Sequence, residues 1–324
     1  MSEPLVSARN LTKRFTSSRG GVKRTVNAVS DVSFDIVPGE TLALVGESGC
    51  GKTTLGRMLA LLLAPTSGEL RIHGQNVVGL ARKAIKPLRR HVQMVFQDPV
   101  SSLNPRHTVE AMLTEPMQNF GLYSSDERRF KAAELLEAVG LAPQDLRKYP
   151  HEFSGGQRQR ITVARALVLQ PEFVVADEPV SALDVSVQSQ ILNLLVDLRE
   201  RFGLTYLFIS HDLAVVHHLA DRIAVMYLGE IVEVAPKETL FANPVHPYTR
   251  ALLSSVPTIT QTKGRIGRIL QGDPPSPMNP PSGCHFHPRC PHAEEQCREE
   301  PPRLARHKGD AGHSVACHLQ DTLA

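Results

Sequence analysis

The chain is 324 residues long, enough to bury a large core and more than one ordinary domain uses, so one large domain with an appendix is expected. A net charge of +3, with Lys and Arg interleaved among acids, is too mild to call for nucleic acid as a partner. No apolar run approaches the length that spans a bilayer, and the start MSEPLVSARN lacks the basic and apolar regions of a secretory signal; the chain is expected on the cytoplasmic side, with its five cysteines as reduced thiols or metal ligands.

Residues 5–15, 29–37 and 68–72 alternate apolar and polar side chains between turn residues, the pattern of half-buried antiparallel strands. Phe15 ends the first of these, placed either to stack on a purine or to be buried in the sheet. Between the second and third, the apolar run 42–45 reads as a buried strand and stops at Gly46-Glu47-Ser48-Gly49-Cys50-Gly51-Lys52-Thr53, with Thr54 behind it. That is the spacing G-x-x-x-x-G-K-[ST] of a phosphate-binding loop. The glycines let successive backbone N–H groups turn inward as a nest, Lys52 adds charge for the β- and γ-phosphates, and the Thr53 hydroxyl suits Mg²⁺. Leu55, Met58, Leu59, Leu62 and Leu63 then fall on one face of a helix whose N-terminus points at the same anion. The basic group Arg82, Lys83, Lys86, Arg89 and Arg90 reads as a plain exposed face, with anionic lipid or a partner surface as the alternative.

A further strand over 92–96 ends in Gln97, whose amide can reach a metal or an attacking water. The stretch 101–150 is mostly helical, with a capping box at Ser124 and Glu127 opening a helix that Gly140 stops. Ser154-Gly155-Gly156-Gln157 caps the next helix and leaves its first amides open to an anion, a second phosphate-type surface in one chain. The apolar strand FVVADE, 173–178, closes in two carboxylates: Asp177, able to hold Mg²⁺ through water, and Glu178, one step further, able to polarise a nucleophilic water. SALD, ending at Asp184, leads into a helix stopped near Gly203, and the strand 204–210 delivers His211 at its tip, where α/β folds place their ligands.

The ordered series GESGCGKT, Gln97, FSGGQ, VVADE, SALD and His211 resembles the ATP-binding subunits of ABC transporters, over about residues 5–236. The resemblance implies an α/β P-loop ATPase core with a mainly parallel sheet, an antiparallel β subdomain and a helical subdomain at about 101–168. It makes Lys52 and Thr53 the Walker A residues, Asp177 and Glu178 those of Walker B, Gln97 the Q-loop glutamine and His211 the switch histidine. Ser154, Gly155, Gly156 and Gln157 are similar to the family signature, with Phe153 where Leu is more usual; Asp184 falls in the D-loop, and Phe15 stands where an aromatic stacks on adenine. It also implies ATP and Mg²⁺ as ligands and ATP sites shared between two subunits, the P-loop of one facing the signature of the other. ABC-type ATPases that act on DNA or ribosomes without a transporter form the rival class; they carry tandem domains, coiled-coil arms or inserted zinc fingers, none of which is visible.

The segment 237–270, with NPVHPYTRALL at 243–253, resembles that following the ATPase domain in dipeptide and oligopeptide importers and their nickel-carrying relatives, and ADEPVSALDVSVQ looks closest to the second ATPase subunit of those systems. The resemblance implies a second, different ATPase subunit, two transmembrane permeases, an extracytoplasmic binding protein and a peripheral position on the inner membrane, with peptides as cargo and nickel chelates or peptide antibiotics as alternatives. From 271 to 324 a Pro-rich connector delivers Cys284, Cys290, Cys297 and Cys317. Their spacing fits no common zinc-finger or ferredoxin rule. Four thiolates can hold a [4Fe–4S] cluster, as in similar peptide-importer ATPases; zinc is the rival, with His285, His287, His292, His313 and His318 near enough to substitute, and free thiols the third reading.

Overall fold

The structure, a computed structural model, describes residues 3–19, 22–254, 272–310 and 312–322. The alternating N-terminal segments pair antiparallel as β1 (Val6–Arg19) and β2 (Val22–Ile36), both longer than expected because the polar ends continue the ladder through Thr16 opposite Thr25 and Ser17 opposite Arg24. β3 (Thr41–Val45) is buried at every position and runs into α1 (Lys52–Leu59). Leu62 and Leu63 do not extend α1 as expected: the helix stops at Ala60, Leu61 takes φ 57°, and Leu62 is left exposed. β4 (Ser67–Ile72) and β5 (Gln75–Asn76) complete a four-stranded antiparallel sheet in the order β2-β1-β4-β5.

α2 (Arg82–Leu88) buries none of its residues, and Arg82, Lys83 and Lys86 are exposed on it, with Arg89 exposed and Arg90 half-buried beyond its end. After β6 (Val92–Val95) comes the helical stretch: α3 (Pro99–Ser102), α4 (Val109–Asn119), α5 (Ser125–Ala138) and α6 (Gly155–Leu167). Ser124 and Glu127 close the capping box of α5, and Gly140 follows it in the left-handed region. The remainder alternates strand and helix: β7 (Phe173–Asp177), α7 (Val185–Phe202), β8 (Thr205–Ser210), α8 (Leu213–Leu219), β9 (Arg222–Tyr227), β10 (Glu230–Pro236), α9 (Lys237–Ala242) and α10 (Pro247–Ser254). Strands β9-β3-β8-β7-β6 lie parallel in that order, and helix-bearing crossovers bury both faces, which is why β3, β7 and β8 are apolar without alternation.

The importer-type segment's end and the start of the Pro-rich connector, 255–271, lie outside the described residues. Residues 272–286 carry no helix or strand, as their prolines require. Beyond them, α11 (Glu295–Glu299), β11 (Ala305–Arg306) and β12 (Ser314–Val315) follow, and β12 pairs with β10, so the tail extends the large sheet to eight strands. Glu233 of β10, fully buried, fastens it: its carboxylate accepts from the backbone N–H groups of Val245 and His246 and lies 2.8 Å from Nε2 of His313 beside β12. Burial alone would raise this carboxyl, yet His313 and the two amides hold it below the usual range. No described helix is long and apolar enough to cross a membrane.

Candidate functional site

The parallel strands deliver the site. Their register sets Val45 beside Ser210, Asp177 beside Ile209 and Val95 beside Ala176, so the residues following β3, β6, β7 and β8 emerge along one edge of the sheet. The loop after β3 fits only with glycine at two points. A Cβ on Gly46 (φ 153°) would collide with the carbonyl oxygen of Met226, and one on Gly51 (φ 110°) with that of Ala28, so β9 and β2 press the loop from either side. Within it Ser48 and Gly49 are exposed, Thr54 is half-buried, and Cys50 is buried, its thiol pushed up by that burial. Lys52 is 5% exposed and its ammonium donates to the carbonyls of Gly46 (2.7 Å) and Glu47 (2.9 Å).

Across the strand gap, the Thr53 hydroxyl donates to Oδ1 of Asp177 at 3.0 Å. Burial, then the neighbouring charge of Glu178, raise the Asp177 carboxyl, a pairing of acids that a cation would relieve. Glu178 takes φ 45°, a conformation non-glycine residues avoid, which turns its carboxylate toward the strand tips. There Gln97 Nε2 donates to Oε2 at 2.9 Å, and His211 Nδ1 lies 3.2 Å from Oε1. The structure thus unites the P-loop, Gln97, Asp177, Glu178 and His211 in one site.

It does not bring the second phosphate-type surface into that site. Ser154 caps α6, its hydroxyl accepting from Gln157 N–H while the Gln157 side chain accepts from Ser154 N–H, with Ser154, Gly155 and Gln157 exposed. Gly156 sits against Val187, close enough that a side chain would clash, and Asp184 stands exposed at the start of α7. No hydrogen bond or ion pair joins this surface to the P-loop among the described residues. Phe15 is 43% exposed with the Lys13 ammonium 5.2 Å from its ring, so burial in the sheet is not its role.

Sequence reading missed three side chains here. The Tyr248 hydroxyl accepts from Glu47 N–H (2.9 Å), and Arg289 grips the Glu47 carboxylate at 2.8 and 3.0 Å while its guanidinium lies 5.8 Å from the centre of the Tyr227 ring. The only signal was NPVHPYTRALL, which contains Tyr248; nothing marked Arg289 beyond its place beside Cys290.

The four tail thiols face one another electrostatically: Cys284 feels Cys317, Cys297 and Cys290, and burial with that repulsion pushes it up to about 12 and Cys317 to about 11. The backbone N–H groups of Phe286, His292 and Leu319 pull the Cys284, Cys290 and Cys317 thiols the other way, against the larger effect of burial. Among the described residues no three of these ligand atoms lie within 4.8 Å of one another, whereas a tetrahedral zinc needs sulfurs roughly 3.8 Å apart. Of the substitute ligands, Nε2 of His313 is committed to Glu233 and that of His318 to the Glu300 carbonyl.

Residues 29–181 match the family "ABC transporter", and residues 232–297 match "oligopeptide/dipeptide transporter, C-terminal region". The chain is 51% identical to the oligopeptide transport ATP-binding protein AppF of Bacillus subtilis, over 98% of each. It is 52% identical to the di/tripeptide transport ATP-binding protein DppF of Pseudomonas aeruginosa, again over 98% of each. Among solved structures, the ATP-binding cassette MJ0796, a dimer in a post-hydrolysis state bound to ADP and Pi, is similar with a TM-score of 0.65 and 31% identity, covering 72% of this chain and 98% of that one. CbiO1 of Clostridium perfringens, part of the ABC transporter complex cbiONQ, gives 0.65 and 28%, over 75% and 92%.

Proposed function

The chain belongs to the ABC transporter ATP-binding family, and from that premise we propose how its residues couple ATP hydrolysis to the uptake of dipeptides or oligopeptides through permease partners in the cytoplasmic membrane. The P-loop amides of residues 46–52 and the Lys52 ammonium receive the β- and γ-phosphates, Lys52 exchanging its loop carbonyls for phosphate oxygens. Thr53 and Asp177, already within hydrogen-bond distance, would hold Mg²⁺ with Gln97, and Phe15 stacks on adenine. Bound there, the metal would neutralise charge that develops on the phosphoryl oxygens. Glu178 orients the attacking water and accepts its proton, and His211 holds the γ-phosphate. Gln97, touching Glu178 from the loop that enters the helical subdomain, reports to the permease.

Ser154, Gly155, Gly156 and Gln157 serve another nucleotide, that of a second ATPase subunit; their exposure, away from the P-loop, supports this. Asp184, at the same exposed surface, meets that partner, which we take to be a different chain, the complex drawing cargo from an extracytoplasmic binding protein. The observation carrying the whole reading is Glu178 held between Gln97 and His211, next to an Asp177 bonded to the P-loop threonine. Glu178→Gln is expected to bind ATP as the parent does and to lose about 10²–10⁴ in turnover, measured as phosphate release; unchanged turnover would remove Glu178 from the chemistry.

We further propose that Cys284, Cys290, Cys297 and Cys317 hold a [4Fe–4S] cluster. The four thiols lie near enough that Cys284 feels the other three, and that proximity supports it. The group would supply a structural staple, converting four separate thiols into one crosslinked loop. Anaerobically purified protein should absorb near 400 nm in proportion to bound iron, and Cys290→Ser should lose both; a colourless zinc-bearing protein would decide for the rival.

A further inference from the structure

We infer that Arg289, from the Cys-rich tail, is a positioning residue of the nucleotide site, setting triphosphate affinity by neutralising and turning aside the Glu47 carboxylate. The inference rests on the ATP-binding reading of the P-loop and adds to it a part supplied by the C-terminal tail.

Glu47 is an acid inside an anion-binding loop. A free carboxylate there repels a triphosphate across a few ångströms of poorly screened space. Arg289 meets it with both guanidinium arms, at 2.8 and 3.0 Å, in the paired geometry that makes such contacts strong. The arginine side chain is 5% exposed and the glutamate side chain 25% exposed, so solvent does not substitute for the contact. The Glu47 carboxylate also raises the guanidinium's affinity for its proton, and the Tyr227 hydroxyl accepts from the same arm at 3.4 Å.

The arginine is itself held rigidly. It ends the short turn His287–Arg289, whose neighbour Phe286 is buried edge-on against Tyr227 with ring centres 5.3 Å apart. Tyr248 closes the other side, tilted on Tyr227 at 4.7 Å and taking Glu47 N–H on its hydroxyl. Glu47 is therefore fixed at backbone and side chain by residues that lie after 236, outside the ATPase core. The P-loop of this chain is walled by its own appendix.

Binding of a fluorescent ATP analogue with Mg²⁺ to the full-length protein tests this. Arg289→Ala is expected to weaken binding at least about fivefold, because it leaves Glu47 charged and unpaired beside the phosphates. Glu47→Gln in the Arg289→Ala background should restore affinity to within about twofold of Glu47→Gln alone, a rescue that a merely structural arginine would not show. Arg289→Lys, which keeps the charge and loses the fork, should fall between, and it decides the matter if Arg289→Ala does not fold. Equal affinity in the parent and in Arg289→Ala, or in the parent and Arg289→Lys where only the latter folds, overturns the inference, as does failure of the Glu47→Gln rescue. A parent protein that binds no nucleotide would instead overturn the P-loop reading.

Discussion

At the scale of single residues, the site works by restricting side chains that would otherwise be free. Glu178 has both carboxylate oxygens occupied, one by Gln97 and one by His211, and a backbone conformation that costs on the order of 1–3 kcal/mol. That strain aims the carboxylate; a relaxed backbone would swing it away from the strand tips. Glutamine at 178 tests the chemistry cleanly because it keeps the shape and one oxygen while removing the proton acceptor, whereas alanine would also free Gln97 and His211. The loss of turnover with retained binding expected for that variant therefore reports proton transfer and not collapse of the cluster. Asp177, one residue earlier, differs in being buried and bonded to Thr53, and the proposed division of the adjacent acids into a metal holder and a base rests on that difference in surroundings.

At the scale of elements, the proposed function gives α6 two duties at its first turn. The Ser154 hydroxyl caps the helix, and the same exposed turn offers N–H groups and a positive dipole end to an anion from outside the chain. Aspartate separates the two, since it caps a helix as well as serine does but sets a negative charge against an incoming phosphate. Ser154→Asp should therefore keep its melting temperature within a few degrees while ATP-driven pairing with the second ATPase subunit, measured by light scattering, is lost. Ser154→Ala should show the reverse balance, losing about 1 kcal/mol of stability with pairing weakened less. Loss of stability in the aspartate variant with normal pairing would sink the assignment.

These elements were legible in the sequence because their signals are local. A glycine spacing, a capping box and an apolar run ending in two acids each specify their own backbone, and the parallel order of strands follows from the helices between them. Leu62 and Leu63 failed because helical periodicity continues in the sequence past the point where the chain turns. The tail's β12 failed because two residues pairing across about eighty positions leave no periodic trace, and Arg289 failed because its partner is 242 residues away. Contacts of that kind depend on tertiary packing that one-dimensional spacing does not encode.

At the scale of the whole molecule, the appendix is joined to the core through buried polar groups, and this makes the joint sensitive to acid. His246 is 1% exposed, accepts Tyr248 N–H on Nδ1, and is held neutral by burial, its pKa pushed down to about 4. Between that value and the ordinary one near 6.5, the unfolded chain binds a proton that the folded chain refuses. Its contribution is thus fully present above about pH 6.5 and is lost as pH falls through about 4, to a total of about 3 kcal/mol. Glu230, raised to about 7 by burial, slopes the opposite way over the same interval, so the test is a difference and not a bare profile. His246→Asn can still accept from Tyr248 but does not titrate. The stability advantage of the parent over this variant, from urea unfolding, should shrink by most of that 3 kcal/mol between pH 7 and pH 4. A constant difference would mean that His246 stays wet or already charged, and that the acid sensitivity of the joint does not come from its burial.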